Sequence, residues 1–74
     1  MTQGARLVKR LRFHYRVMRE WPTYGDLLWT GISTAPHKRL YEPSAQRALR
    51  KGEVIERDRN AQGLVVFKIV RRRV

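Results

Sequence analysis

The chain contains no cysteine, which excludes disulfides and thiolate-bound metal. That absence fits a reducing cytoplasm. Its two histidines and six carboxylates are scattered, with no H-x-x-x-H or comparable ligand spacing, so neither a metal nor a cofactor is expected. There is no Gly-rich phosphate loop and no Ser/His/Asp or Cys/His grouping. Glu53, Glu56 and Asp58 fall in a stretch that reads as solvated, and a small nuclease with His37 as base is the weaker alternative. An enzyme is therefore not expected. Long apolar runs are missing as well. The longest, residues 64–67, is far too short to span a bilayer, and the N-terminal stretch has no apolar h-region. No membrane partner is expected. Acidic charge is also scarce: six Asp and Glu face 17 Lys and Arg, for a net charge of +11 and a pI near 11.5.

What is present is a core combined with a basic surface. The apolar fraction, 42%, is too high for a disordered tail. With 74 residues the chain is expected to form a single domain over 1–74, with 1–4 and 71–74 as flexible ends. A core that small leaves marginal stability unless something staples it. Arginine outnumbers lysine, and arginine grips phosphate bidentately and reads guanine edges. A folded domain with this charge carries the electrostatic footprint of a nucleic-acid-binding protein. A cytoplasmic, nucleoid-associated location follows from that expectation.

Hydrophobic spacing predicts the elements. Over residues 5–20, Leu7, Leu11, Tyr15 and Met18 fall on one helical stripe, and Lys9, Arg12, Arg16 and Arg19 on a neighbouring one. Phe13 and Val17 widen the apolar surface. Trp21-Pro22 closes this helix, because the residue before proline avoids helical geometry. Thr23-Tyr24-Gly25-Asp26 matches a capping-box start and predicts a short helix over 24–30, stopped by Gly31. Ser33 and Thr34 offer a cap for the next segment and Pro36 suits its first turn. Pro43 then divides 32–52 into one kinked helix or two short ones, and proline's tolerance at a helix start favours two. Residues 53–56 and 64–70 read as antiparallel strands around a polar connection ending in Gly63. Val65, Phe67 and Ile69 share one strand face and Lys68 lies on the other. Trp29 and one tyrosine are expected in the core together with Phe67, since a domain this small needs its aromatic area. His14, Trp21, Tyr24 and Tyr41 read as structural residues before binding ones. The fold class is α+β, with three helices followed by a two-stranded hairpin.

The run Ala48-Leu49-Arg50-Lys51-Gly52-Glu53-Val54-Ile55-Glu56-Arg57 resembles the junction between recognition helix and first wing strand in winged helix-turn-helix domains. Asp58 to Gly63 then corresponds to the wing tip and Leu64 to Val70 to the return strand. Asp26-Leu27-Leu28 to Gly31-Ile32-Ser33 resembles the second helix and the turn before recognition. Gly31-Ile32-Ser33-Thr34 with His37-Lys38-Arg39-Leu40 is similar to small phage and prophage regulators. The resemblance covers residues 20–70 and implies double-stranded DNA binding in transcription regulation. The break at Pro43 departs from the usual continuous recognition helix.

Two halves therefore compete for the major groove. If the first is inserted, His37, Lys38 and Arg39 meet the bases; if the second, Ser44, Gln46, Arg47 and Arg50 do, and Thr34 and Lys51 are further DNA-binding candidates. A helix fits that groove, where arginine pairs with guanine and glutamine with adenine. Arg57, Arg59, Asn60 and Gln62 would extend the hairpin toward a minor groove or phosphate. The basic stripe of the first helix and Arg71–Arg73 offer phosphate contacts, which add affinity without specificity. A single module covers one half-site, so a homodimer or another partner is compatible with this reading. RNA or ribosome association, and docking to a host protein that it inhibits, are the alternatives.

Overall fold

A computed structural model describes residues 1–72. Helices precede a two-stranded antiparallel hairpin, in the order α1 (Gln3–Met18), α2 (Tyr24–Leu28), α3 (Pro36–Arg39), α4 (Pro43–Ala48), β1 (Glu53–Arg59) and β2 (Val65–Arg71). The architecture is α+β as expected, with four helices in place of three. Pro43 is the reason. It starts α4 in the first turn, where its missing N–H costs no hydrogen bond. The segment 32–52 is thus two short helices.

Helix α1 begins at Gln3, ahead of the expected residue 5, because the Thr2 hydroxyl accepts from the Ala5 amide at 3.2 Å. Its buried stripe is Gly4, Leu7, Val8 and Leu11. The expected stripe holds only at Leu7 and Leu11. Tyr15 and Met18 are 41% and 57% exposed, since the last turns of α1 run past the edge of so small a core. Gly4, expected within a flexible end, lies in the seam between α1 and α4. A β-carbon there would sit 2.5 Å from the Ser44 hydroxyl and 2.7 Å from the Ala45 amide nitrogen. The absence of a side chain therefore allows the two backbones to approach. The helix ends with Arg19 in a left-handed conformation, φ 59°, its amide bonded to the Tyr15 carbonyl. Tyr15 also stacks on Trp21 at 4.2 Å between ring centroids, which turns the chain back toward the core.

Helix α2 opens with the expected capping box: the Asp26 amide donates to the Thr23 hydroxyl at 3.1 Å, and the Thr23 amide to the Asp26 carboxylate at 3.0 Å. It ends at Leu28, so Trp29 projects into solvent at 91% exposure. That corrects the expected core position of Trp29. The expected core tyrosine is corrected too, because Tyr15, Tyr24 and Tyr41 are each more than a third exposed. Leucine fills the core instead: Leu7, Leu11, Leu27 and Leu40 are wholly buried, with Val8, Ala45, Ile55 and Phe67 around them.

The strands pair from Glu53↔Arg71 to Arg59↔Val65, three residues further along β1 than the spacing predicts. Arg57, Asp58 and Arg59 are therefore strand residues, and the turn is confined to 60–64. Arg71, expected in a flexible tail, pairs with Glu53 at the end of the ladder. Arg72, also expected in that tail, donates its amide to the Gly52 carbonyl at 2.7 Å and pairs with Glu56, while residues 73 and 74 lie outside the described residues. Phe67 is buried as expected, but Val65 is 38% exposed and Val66, on the other strand face, is buried. Residues 22–23 explain this. Thr23 forms an isolated bridge to Val66, and the Phe67 amide donates to the Pro22 carbonyl at 3.0 Å. Backbone from the α1–α2 connection thus pairs along the free edge of β2 beside Val66. No helix of the described residues is long and apolar enough to cross a membrane.

Candidate nucleic-acid interface

The first candidate group lies around α3. Thr34, Lys38 and Arg39 are exposed, while Pro36 and Leu40 on either side of them are buried and hold the turn in place. The Arg39 guanidinium pairs with Glu42 at 2.7 Å, three residues ahead. Both partners are well exposed, so this contact is weak and open to exchange for an outside anion. His37 is half-buried rather than a free surface residue. Its ring meets Tyr24 edge-on at 5.2 Å, and its Nδ1 is buried without a hydrogen-bond partner. Only Nε2 remains for an outside partner.

The second group, on α4, is more occupied by the fold. Ser44 is half-buried in the seam against Gly4 of α1. Gln46 donates its side-chain amide to the Leu40 carbonyl at 3.0 Å, which ties α4 to the end of α3. Arg47, Arg50 and Lys51 are exposed. The backbone at Arg50 is fixed, because its amide donates to Glu53 at 2.7 Å.

Glu53 is the anchor between the helices and the hairpin. Arg12 on α1 grips it with both terminal nitrogens, at 3.0 and 2.5 Å, and only 9% of the Glu53 side chain is exposed. The Arg12 hydrogen bond, helped by the Arg50 amide and opposed by burial, pulls the carboxyl down to about 2. The same bond raises Arg12 above its ordinary value. Arg12 is thus a structural cation, removed from the basic stripe of the first helix.

On the hairpin, the Arg57 guanidinium lies over the Tyr41 ring, 5.5 Å from its centroid. This contact joins β1 to the end of α3, across sixteen residues of sequence that offer no local signal for it. Arg59 is exposed and donates to the Gly63 carbonyl at 2.8 Å. Asn60 shapes the turn: its side-chain oxygen accepts from the Gln62 and Leu64 amides, each at 3.0 Å. Its side-chain nitrogen is left for other contacts, and Gln62 is exposed.

Charge is distributed unevenly. Among the described residues, Glu42, Glu53, Asp58 and Glu56 pair with Arg39, Arg12, Lys68 and Arg72. The Lys68 hydrogen bond also lowers the Asp58 carboxyl. Lys38, Arg47, Arg50, Lys51, Arg57 and Arg59 form no ion pair among the described residues. The cations of α3, of the α4–β1 turn and of the outer half of β1 therefore face solvent without an ion-paired carboxylate among the described residues, apart from Arg39, and Arg50 also lies near the charge of Glu53.

Comparison with protein-family models, curated proteins and solved structures found no match. Among the described residues no three His, Asp or Glu side chains gather as metal ligands.

Proposed function

We propose that the chain is a sequence-specific double-stranded DNA-binding module of winged helix-turn-helix type, acting without catalysis as a small bacterial or phage transcription regulator. Helix α3 is the base-reading element and the β1–β2 hairpin is the wing. The observation that carries this reading is the contact of Arg57 with Tyr41. It connects the cations of the hairpin to those of α3, so that both can meet one duplex. Exposed arginine and lysine on a helical turn can pair with guanine edges, each good pair contributing ~1–3 kcal/mol of discrimination. Exposed cations elsewhere on that side contact phosphate and give affinity without sequence preference.

The packing of α4 supports α3 as the inserted half. Ser44 and Ala45 lie against Gly4, and Gln46 is bonded to Leu40. Ser44 and Ala45 thus hold α4 to α1, and Gln46 holds α4 to the end of α3, which engages these side chains within the fold. In this account Thr34, Lys38 and Arg39 approach the bases, and Arg47, Arg50 and Lys51 contact phosphate. Arg57, Arg59 and Gln62 follow the neighbouring groove. A nucleoid location follows from that activity.

Two paired variants test the assignment. Lys38→Ala with Arg39→Ala should bind a selected duplex and a random one with similar affinity. Arg47→Ala with Arg50→Ala should weaken both alike and reduce the slope of log K against log salt by about 2. Base preference lost in the second variant and kept in the first would move recognition to α4. Equal affinity of the unaltered protein for RNA and DNA duplexes would replace this reading by a shape-reading RNA binder.

A further inference from the structure

The outward face of α1 is not used by the fold or by the proposed DNA surface. With Gly4, Leu7, Val8 and Leu11 turned inward, helical periodicity places Arg6, Lys9, Phe13 and Arg16 on the opposite side. Phe13 and Val17 are 43% and 58% exposed there. Arg6, Lys9 and Arg16 are exposed and Arg10 is half-buried. None of these four cations has a carboxylate partner among the described residues. A hollow of about 300 Å³ opens between this face and the α2–α3 connection, lined by Met1, Arg6, Lys9, Arg10, Phe13 and Ile32.

We propose that this face of α1 is a docking surface for an acidic protein segment that inserts an apolar side chain beside Phe13. Charge complementarity selects the partner. Four cations rim an apolar floor, and the domain as a whole carries +11, so a second copy of the chain is repelled while a segment rich in Asp and Glu is attracted. Arginine binds a carboxylate bidentately, and Arg6 and Arg16, exposed beside this hollow, have no carboxylate partner among the described residues. The apolar floor distinguishes this face from a phosphate-binding one, since a duplex backbone has nothing to cover Phe13 and Ile32. Single-stranded bases could cover an aromatic ring by stacking. Here the guanidinium groups of Arg10 and Arg16 already lie over the Phe13 ring, 5.1 and 6.0 Å from its centroid. A stacked base would have to displace a cation, whereas an aliphatic or aromatic side chain can enter the hollow beside the ring.

The test uses the full chain and two fluorescein-labelled peptides of equal length and charge. One carries a central Gly and Ser among Glu and Asp; the other carries a central Phe and Leu at those two positions. Anisotropy should show the second binding about tenfold tighter or more, the size of one buried anchor. Phe13→Ala should bring the two peptides to within about twofold of each other. The same variant should keep its affinity for duplex DNA, which separates this surface from the DNA-binding one. Circular dichroism checks that it remains folded. A second variant, Lys9→Glu with Arg16→Glu, changes only exposed residues and should weaken both peptides. Equal binding of the two peptides by the unaltered protein would overturn the proposal, as would a Phe13→Ala variant that keeps the preference. Dimerisation through this face in sedimentation would also overturn it, and so would tighter binding to phosphatidylserine vesicles that Phe13→Ala abolishes.

Discussion

Replacing Glu53 by Gln probes the joint between the helices and the hairpin. The Glu53 carboxyl is drawn from 4.5 to about 2, chiefly by the Arg12 hydrogen bond. A shift of that size corresponds to about 3 kcal/mol, and Arg12, 30% exposed, reduces it to about 2 kcal/mol through solvent screening. Because the folded value lies below the unfolded one, the ionised form favours folding. The contribution is complete above the unfolded value of 4.5 and fades as pH falls toward 2. At pH 7 the Glu53→Gln variant should melt about 8–16 °C below the unaltered protein, given ~4–8 °C per kcal/mol for a domain of this size. At pH 3 the unfolded carboxyl is mostly protonated, and the gap should shrink to less than about half. Thermal unfolding followed by circular dichroism at both pH values measures it. A gap under about 2 °C at pH 7 would refute the reasoning. So would a gap that stays constant between the two pH values.

Two further outcomes follow from packing. Gly4→Ala improves intrinsic helix propensity by about 1 kcal/mol but places a β-carbon 2.7 Å from the Ala45 amide nitrogen, a backbone atom. The clash should win, and urea unfolding should show a net loss of about 1–3 kcal/mol. Trp29→Lys should change stability by less than about 0.5 kcal/mol in the same assay, because Trp29 is 91% exposed. A loss above about 2 kcal/mol would return Trp29 to the core.

Much of the fold was legible because local signals agreed with one another. The Thr23–Asp26 capping box and the prolines at 36 and 43 each act over a few residues, and the helices start where those residues require. Leu7 and Leu11 reached the core from helical periodicity, and Phe67 from the need of a small domain for aromatic area. What escaped depends on tertiary placement. Trp29 has the composition of a core residue, but α2 stops one residue before it. The burial of Val66 goes with the pairing of Pro22 and Thr23 along the edge of β2, which strand alternation does not reveal. Gly4 read as part of a loose end until its contact with Ser44 and Ala45 gave it a role. In the candidate site, Lys38, Arg47 and Arg57 were visible from charge and position. The Arg57–Tyr41 contact and the loss of Arg12 to Glu53 are long-range pairings with no sequence spacing to announce them.

The most direct test of the central claim is a selection from random duplexes with the purified chain at near-physiological salt, followed by a salt titration on the best sequence. The account predicts an enriched motif bound about 10³-fold or more above random DNA, with a salt slope that reflects several phosphate contacts. No enrichment with an equally steep slope on every duplex, or no duplex binding at all, would contradict it.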